Sequence, residues 1–146
     1  MNVKDIATIL TVHGNKLQPC TASEVEALEA KIGLKLPAAY REFLLLMGHG
    51  AGKYMLGSDC FYRHLDAIHK GALELIEEHE LPEMPPNAFV FWMHQGYMFA
   101  YFLIDDNPDP HVYFFTEGED MKCFEISHHK LTDCFKGKLK FMGIDV

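Results

Sequence analysis

Nine histidines, four cysteines and 21 acids give this chain of 146 residues the raw material for metal, nucleophilic or acid–base chemistry. Spacing decides whether any of it is built. Gly48-His49-Gly50-Ala51-Gly52-Lys53 has the outline of a phosphate-binding loop. Such a loop needs four residues between its glycines and a Ser or Thr after its lysine, so that backbone N–H groups cradle phosphate and a hydroxyl reaches magnesium. Here three residues separate Gly48 from Gly52, and Tyr54 follows Lys53. The segment reads as a turn or loop. The histidines contain no H-E-x-x-H pair. His64 and His69 stand five apart, a poor spacing for one helix face, and the adjacent His128 and His129 point apart.

Cys20, Cys60, Cys123 and Cys134 form no C-x-x-C pair and read as reduced, mostly buried thiols. A Cys60–His64–Asp66 set can be composed on paper, as in any chain this rich in histidine. Gly57-Ser58-Asp59-Cys60 lacks the second glycine of a nucleophile elbow. The acids around Pro108 lack the glycine and terminal glutamate of a calcium loop and suit a tight turn. The expectation is therefore no catalytic residue, no metal and no cofactor.

Charge is more informative. The net charge is −8, which argues against a general nucleic-acid binder. From Gly71 to Met121 there is no Lys or Arg, while the same window holds Glu74, Glu77, Glu78, Glu80, Glu83, Asp105, Asp106, Asp109, Glu117, Glu119 and Asp120. Lysines return at Lys122, Lys130, Lys136, Lys138 and Lys140. Each acid alone is ordinarily a solvated surface group, but together they suit an acidic face that steers a basic partner. No apolar run is long enough to span a membrane. Met1-Asn2-Val3-Lys4-Asp5 carries an early acid and does not resemble a secretory leader, so a cytoplasmic location is expected.

The elements that must position these residues follow from periodicity. Val3, Ile6, Ile9 and Leu10 predict a short amphipathic helix over residues 3–12. Thr21 and Glu24 form a capping box for a second helix, ended by Gly33. Leu36-Pro37 opens a third, with Tyr40, Phe43, Leu44 and Met47 on one face and Gly48 after it. A fourth runs from Leu65 to Leu81, weakened at Gly71. Ala88–Met93 and Tyr97–Ile104 then read as a hairpin around His94-Gln95-Gly96, followed by strands at Val112–Thr116 and Cys123–Ile126. Ser127 is placed as the cap of a closing helix containing Leu131, Cys134 and Phe135. The aromatic strand residues divide between two faces, so the second face needs a helical cover or a partner. Segregated helices and a strand meander define an α+β domain: one unit, residues 1–146, with N-terminal helices on an antiparallel sheet and a closing C-terminal helix.

In this order the motifs resemble the SUKH superfamily. The carriers are Thr21 to Glu29, then Gly33-Leu34-Lys35-Leu36-Pro37-Ala38-Ala39-Tyr40 with Phe43-Leu44, then Phe89-Val90-Phe91, Gln95-Gly96-Tyr97 and Pro110-His111-Val112-Tyr113. The resemblance spans roughly residues 20–137. The glycine turn reads Met47-Gly48-His49-Gly50 where Asn-Gly-Gly is common in the family. The resemblance implies an α+β fold, no catalytic site, and a protein partner: for bacterial members a toxin domain blocked by occlusion, for fungal members signalling proteins held by a scaffold. Joined to the charge pattern, it points to an immunity protein facing a basic toxin domain, such as a nuclease groove. The candidate contacts are Asp105, Asp106, Asp109, Glu117, Glu119 and Asp120, with Trp92 and Tyr97 as aromatic anchors if exposed. A regulatory scaffold, or a small-molecule module using the sheet and the histidines, are the alternatives.

Overall fold

Asn2 opens the first helix, α1 (Val3–Val12), through a reciprocal pair of bonds with Asp5, each backbone N–H donating to the other side chain at 2.9 Å. The apolar spacing then buries Val3, Ile6, Ala7 and Leu10. The computed structural model describes residues 1–146. A short strand, β1 (Leu17–Gln18), leads to α2 (Ala22–Ile32), which the Thr21–Glu24 capping box starts and left-handed Gly33 ends. Helix α3 (Ala38–Met47) follows Pro37 and has no side-chain cap. Instead, Ala39 N–H donates 2.9 Å to the carbonyl of Pro108, so a distant turn satisfies one of the free donors of its first turn.

The glycine segment after α3 is more ordered than its composition suggests. Gly50–Ala51 forms a strand, β2, paired antiparallel with β1 through Leu17–Ala51 and Gln18–Gly50. Ser58–Asp59 forms β3, the third two-residue strand, after β1 and β2, that the sequence does not announce. Two-residue strands leave too little alternation to read from sequence. A 3-10 turn (Tyr62–His64) leads into α4 (Leu65–Glu78).

Helix α4 stops before Leu81. Glu80 takes a left-handed φ of 53°, Glu80 N–H donates to the Glu77 carbonyl, and Leu81 N–H donates to that of Ile76. This is the terminal motif that glycine usually supplies. A glutamate there hid the stop.

The main sheet has the order β3-β4-β5-β6-β7, every pair antiparallel, with β4 Ala88–His94, β5 Met98–Leu103, β6 Val112–Thr116 and β7 Glu125–His128. Gln95 and Gly96 both have positive φ, and Tyr97 N–H closes the β4–β5 turn on the His94 carbonyl at 3.2 Å. Strand β7 begins two residues later than its aromatic content suggests. Phe124 is drawn into packing against Phe99 and Tyr101, ring centroids 6.0 and 5.2 Å away. Ser127 consequently lies inside β7, where its hydroxyl contacts His128 Nδ1 at 2.9 Å, and does not cap the closing helix. That helix, α5 (Leu131–Gly137), runs on into a 3-10 segment, Lys138–Met142.

Both sheet faces are covered, giving three layers. On one face Phe89, Phe91 and Phe102 meet Tyr40 of α3, and Phe91 meets Phe135 of α5. Phe43 stacks on Phe135 at 4.7 Å, tying α3 to α5. Tyr54, fully buried, donates 2.6 Å to the Phe135 carbonyl. On the other face α4 lies so close that a Cβ on Gly71 would sit 3.0 Å from Met93 Cε. The glycine that costs helix propensity thus allows a close helix–sheet approach. Forty buried apolar residues form one continuous cluster through all three layers.

Candidate functional site

The antiparallel meander sends its turns to two ends of the sheet. The β5–β6 turn is at one end. The β4–β5 and β6–β7 turns share the other. Strand β5 has six residues, which separates the ends by about 20 Å at about 3.4 Å per residue. The acids that sequence places together as contacts are therefore divided: Asp105, Asp106 and Asp109 at the first end, Glu117, Glu119 and Asp120 at the second.

The first end is committed to the fold. Asp109 accepts from Thr132 backbone N–H at 2.9 Å and from Thr132 Oγ1 at 2.6 Å, satisfying the start of α5. Asp105 accepts from Asn107 N–H and Asn107 from Asp109 N–H, each a turn-closing bond. Pro108 supplies the carbonyl that α3 uses. Only Asp106 lacks a bond within the protein.

The second end gathers acids from two elements. His79, at the end of α4, holds Glu117 through Nε2 at 2.9 Å. The same contact brings the helix acid Glu78 to the β6–β7 turn, the ligand atoms of Glu78, His79 and Glu117 lying within 4.8 Å of one another. Glu117 N–H also donates 3.0 Å to the Tyr97 carbonyl, so the acidic surface reaches the β4–β5 turn. Asp120, left-handed at φ 52°, pairs with Lys122 at 3.1 Å in full solvent.

Beside Tyr97 opens a cleft of about 310 Å³ that sequence reading did not find. Its walls come from the loop before β3, the end of β4, the β4–β5 turn and the 3-10 segment after α5. No periodicity links these four segments, so only the tertiary fold could assemble them. Leu56 and Phe141 stand at 79% and 86% exposure and Tyr97 at 37%, a set of apolar groups left in water around one opening. Trp92 is not an exposed anchor. It is 6% exposed and lies in the wall, its ring stacked with that of His94 and covered by the Lys138 ammonium 3.8 Å from the ring centroid.

Three clusters bear on chemistry. Ser58 Oγ lies 2.9 Å from His94 Nδ1 in the cleft, the contact a nucleophile and base would make. No carboxylate pairs with His94 to orient its ring, the third element such a set uses. Cys20, Glu24 and His49 bring their ligand atoms within 4.8 Å of one another. Glu24 is already engaged by Thr21 and by His49 Nε2 at 2.8 Å. The Thr21 backbone N–H and then His49 hold its carboxyl below the usual range. Burial, with Glu24 nearby, pushes the Cys20 thiol up to about 11, so it is a poor source of thiolate. The trio fastens α2 to the glycine segment. Glu78, His79 and Glu117 form the third group, in water. Cys60, His64 and Asp66 do not form a triad. Burial raises the Cys60 thiol, His64 faces Asp59 at 3.5 Å, and Asp66 pairs with Lys31 at 2.6 Å.

The fold and this end of the molecule define a class: an α+β domain of three layers, with an acidic surface and an apolar cleft side by side, and no helix long and apolar enough to cross a membrane. The chain matches the model of the SMI1 / KNR4 family (SUKH-1) over residues 19–129 and belongs to that family. Among curated proteins none matches it.

Proposed function

We propose that this chain is a non-enzymatic protein-binding domain that acts by occlusion, as an immunity protein that covers a basic toxin domain. The carrying observation is the His79–Glu117 contact, which joins helix and turn acids into one surface beside exposed Tyr97. A desolvated apolar centre with a charged rim is the anatomy of a specific interface. The acids supply steering and reject acidic partners, while Tyr97, Leu56 and Phe141 supply area. Asp105, Asp106 and Asp109 are left outside the contact, 109 by its bond to α5 and the others by distance. Family membership supports a protein partner over a substrate.

The test uses the purified chain as bait in lysate of its source cell, followed by binding kinetics with any captured protein. The reading expects a partner with a basic domain. Its association rate falls about tenfold or more from low to physiological salt, and falls again for Glu117→Gln combined with Glu119→Gln and Asp120→Asn. An association indifferent to salt and to these substitutions would reject the steering mechanism. Recovery of signalling proteins alone would reject the toxin assignment.

A further inference from the structure

The cleft contains an imbalance that the docking reading does not use. Lys138 lies in its wall, over the Trp92 ring and 5.8 Å from the centroid of Phe141. It makes no ion pair and no side-chain hydrogen bond, and unlike the other unpaired lysines it is held against an aromatic wall. Burial holds its ammonium below the ordinary lysine range. The indole Nε1 of Trp92 is buried behind the wall without an acceptor and is not itself open to the cleft. Lys53, also on the cleft, has no carboxylate partner.

Two of the polar groups on the wall, Lys53 and Lys138, are cationic, and neither has a carboxylate partner. The chain carries 21 acids, yet none lines the cleft. A half-buried ammonium held over an indole ring is further stabilised when an opposite charge is brought beside it. The rest of the wall is mostly apolar, Met55, Leu56, Tyr97, Met98, Phe141 and Met142, with Ser58 and His94 bonded to each other at 2.9 Å. Apolar walls with a few convergent polar groups are the usual build of a small-molecule site, and about 310 Å³ is at the small end of that range.

We propose that the cleft binds a free amphipathic monocarboxylate, with a single ring or a short acyl body against the apolar wall and its carboxylate on Lys138. A long acyl chain exceeds the volume. A cationic ligand meets Lys53 and Lys138, and a neutral one leaves the ammonium unpaired. The site shares Tyr97, Leu56 and Phe141 with the docking surface, but a free molecule needs no protein partner to occupy it.

Trp92 is the single tryptophan of the chain and sits in the wall, so its emission reports occupancy directly. The full chain is titrated at pH 7 with 3-phenylpropionate, 3-phenylpropionamide and 3-phenylpropylamine. The proposal expects a saturable emission change with the carboxylate, about tenfold tighter than with the amide, the value of one charge-assisted hydrogen bond, and none with the amine. Lys138→Met abolishes the preference for carboxylate over amide. Phe141→Ala, at an exposed position, weakens both alike. The single indole N–H resonance of the unsubstituted chain provides a second readout that does not depend on a variant folding, and it shifts with the carboxylate at concentrations about tenfold below those the amide needs. Equal affinity for carboxylate and amide, a preference that survives Lys138→Met, or an unmoved indole resonance would each overturn the assignment.

Discussion

Two acidic turns of this protein look alike in sequence and do opposite things. Asp105-Asp106-Asn107-Pro108-Asp109 and Glu117-Gly118-Glu119-Asp120 are both short, both rich in carboxylates, and both join neighbouring strands. In the first, Asp109 holds α5, Pro108 holds α3, and Asp105 closes the turn on itself. In the second, Glu119 makes no bond, Asp120 pairs only with solvent-exposed Lys122, and Glu117 reaches sideways to His79. The difference lies in what stands opposite each turn. One faces two helix starts whose free N–H groups need acceptors. The other faces water except where Glu117 meets His79 at the end of α4. Negative charge fixed by helix donors is architecture, whereas negative charge left in water is available to a partner.

The contrast is largest in chemical reactivity. Cys123 lies exposed in the β6–β7 turn, whereas Cys134 lies buried in α5, the helix that Asp109 holds. Burial pushes the Cys134 thiol up to about 11 and the Cys20 thiol to about 11, and raises Cys60 further. A raised thiol pKa means less thiolate at any pH below it, and thiolate is the nucleophile. Alkylation with iodoacetamide at pH 8 is therefore expected to add one label per native chain, at Cys123, with the other three reacting only after unfolding. A second label on the native chain, counted by intact mass and placed on Cys134 by peptide mapping, would show that the α5 end is as open as the free turn.

The next effect is on stability. Asp109→Ala removes two hydrogen bonds from a carboxylate to Thr132, one of them to a backbone N–H at a helix start. With bonds to charged groups worth about 1.5–3 kcal/mol each and not additive, the expected loss is about 2–3 kcal/mol in urea unfolding. The same variant should speed labelling of Cys134. Asp105→Ala removes only the turn-closing bond to Asn107, which lies exposed where water competes for both groups, and should cost about 0.5–1 kcal/mol. Equal effects from the two substitutions would mean that the contact to α5 contributes nothing beyond an ordinary turn bond.

Sequence alone shows much of this fold and little of this contrast. The Thr21–Glu24 box, Gly33 as a left-handed cap, and the Tyr40–Phe43–Leu44–Met47 face are local signals, and each is realised where the pattern places it. The motifs that carry the family resemblance are equally local. What failed was read from types that normally do something else: Glu80 in a position usually held by glycine, Ser127 in a strand when it resembles a cap, and strands of two residues inside a glycine segment. The site failed for a different reason. Trp92 and Tyr97 are five residues apart, but the cleft they share also needs Leu56 and Phe141, brought together by strand pairing and by the segment after α5. Acid counts carry no information about which carboxylates face helix starts, because that depends on contacts 23 residues away, as between Asp109 and Thr132.

The smallest expected effect is the sharpest test of the comparison. Glu117→Gln with Glu119→Gln and Asp120→Asn keeps the shape of the free turn and removes three charges. Two of the charges make exposed pairs, and such pairs contribute about 0–1 kcal/mol or nothing measurable. Removing mutual repulsion in an already acidic region offsets part of even that. The urea midpoint should therefore move by less than the equivalent of about 0.5 kcal/mol. A stable triple variant beside a destabilised Asp109→Ala would show that one turn serves the fold and the other is free to serve binding. A triple variant that loses about 2 kcal/mol or more would show that the His79–Glu117 contact is as structural as the Asp109 bonds, and would leave the acidic surface without the spare charge that steering requires.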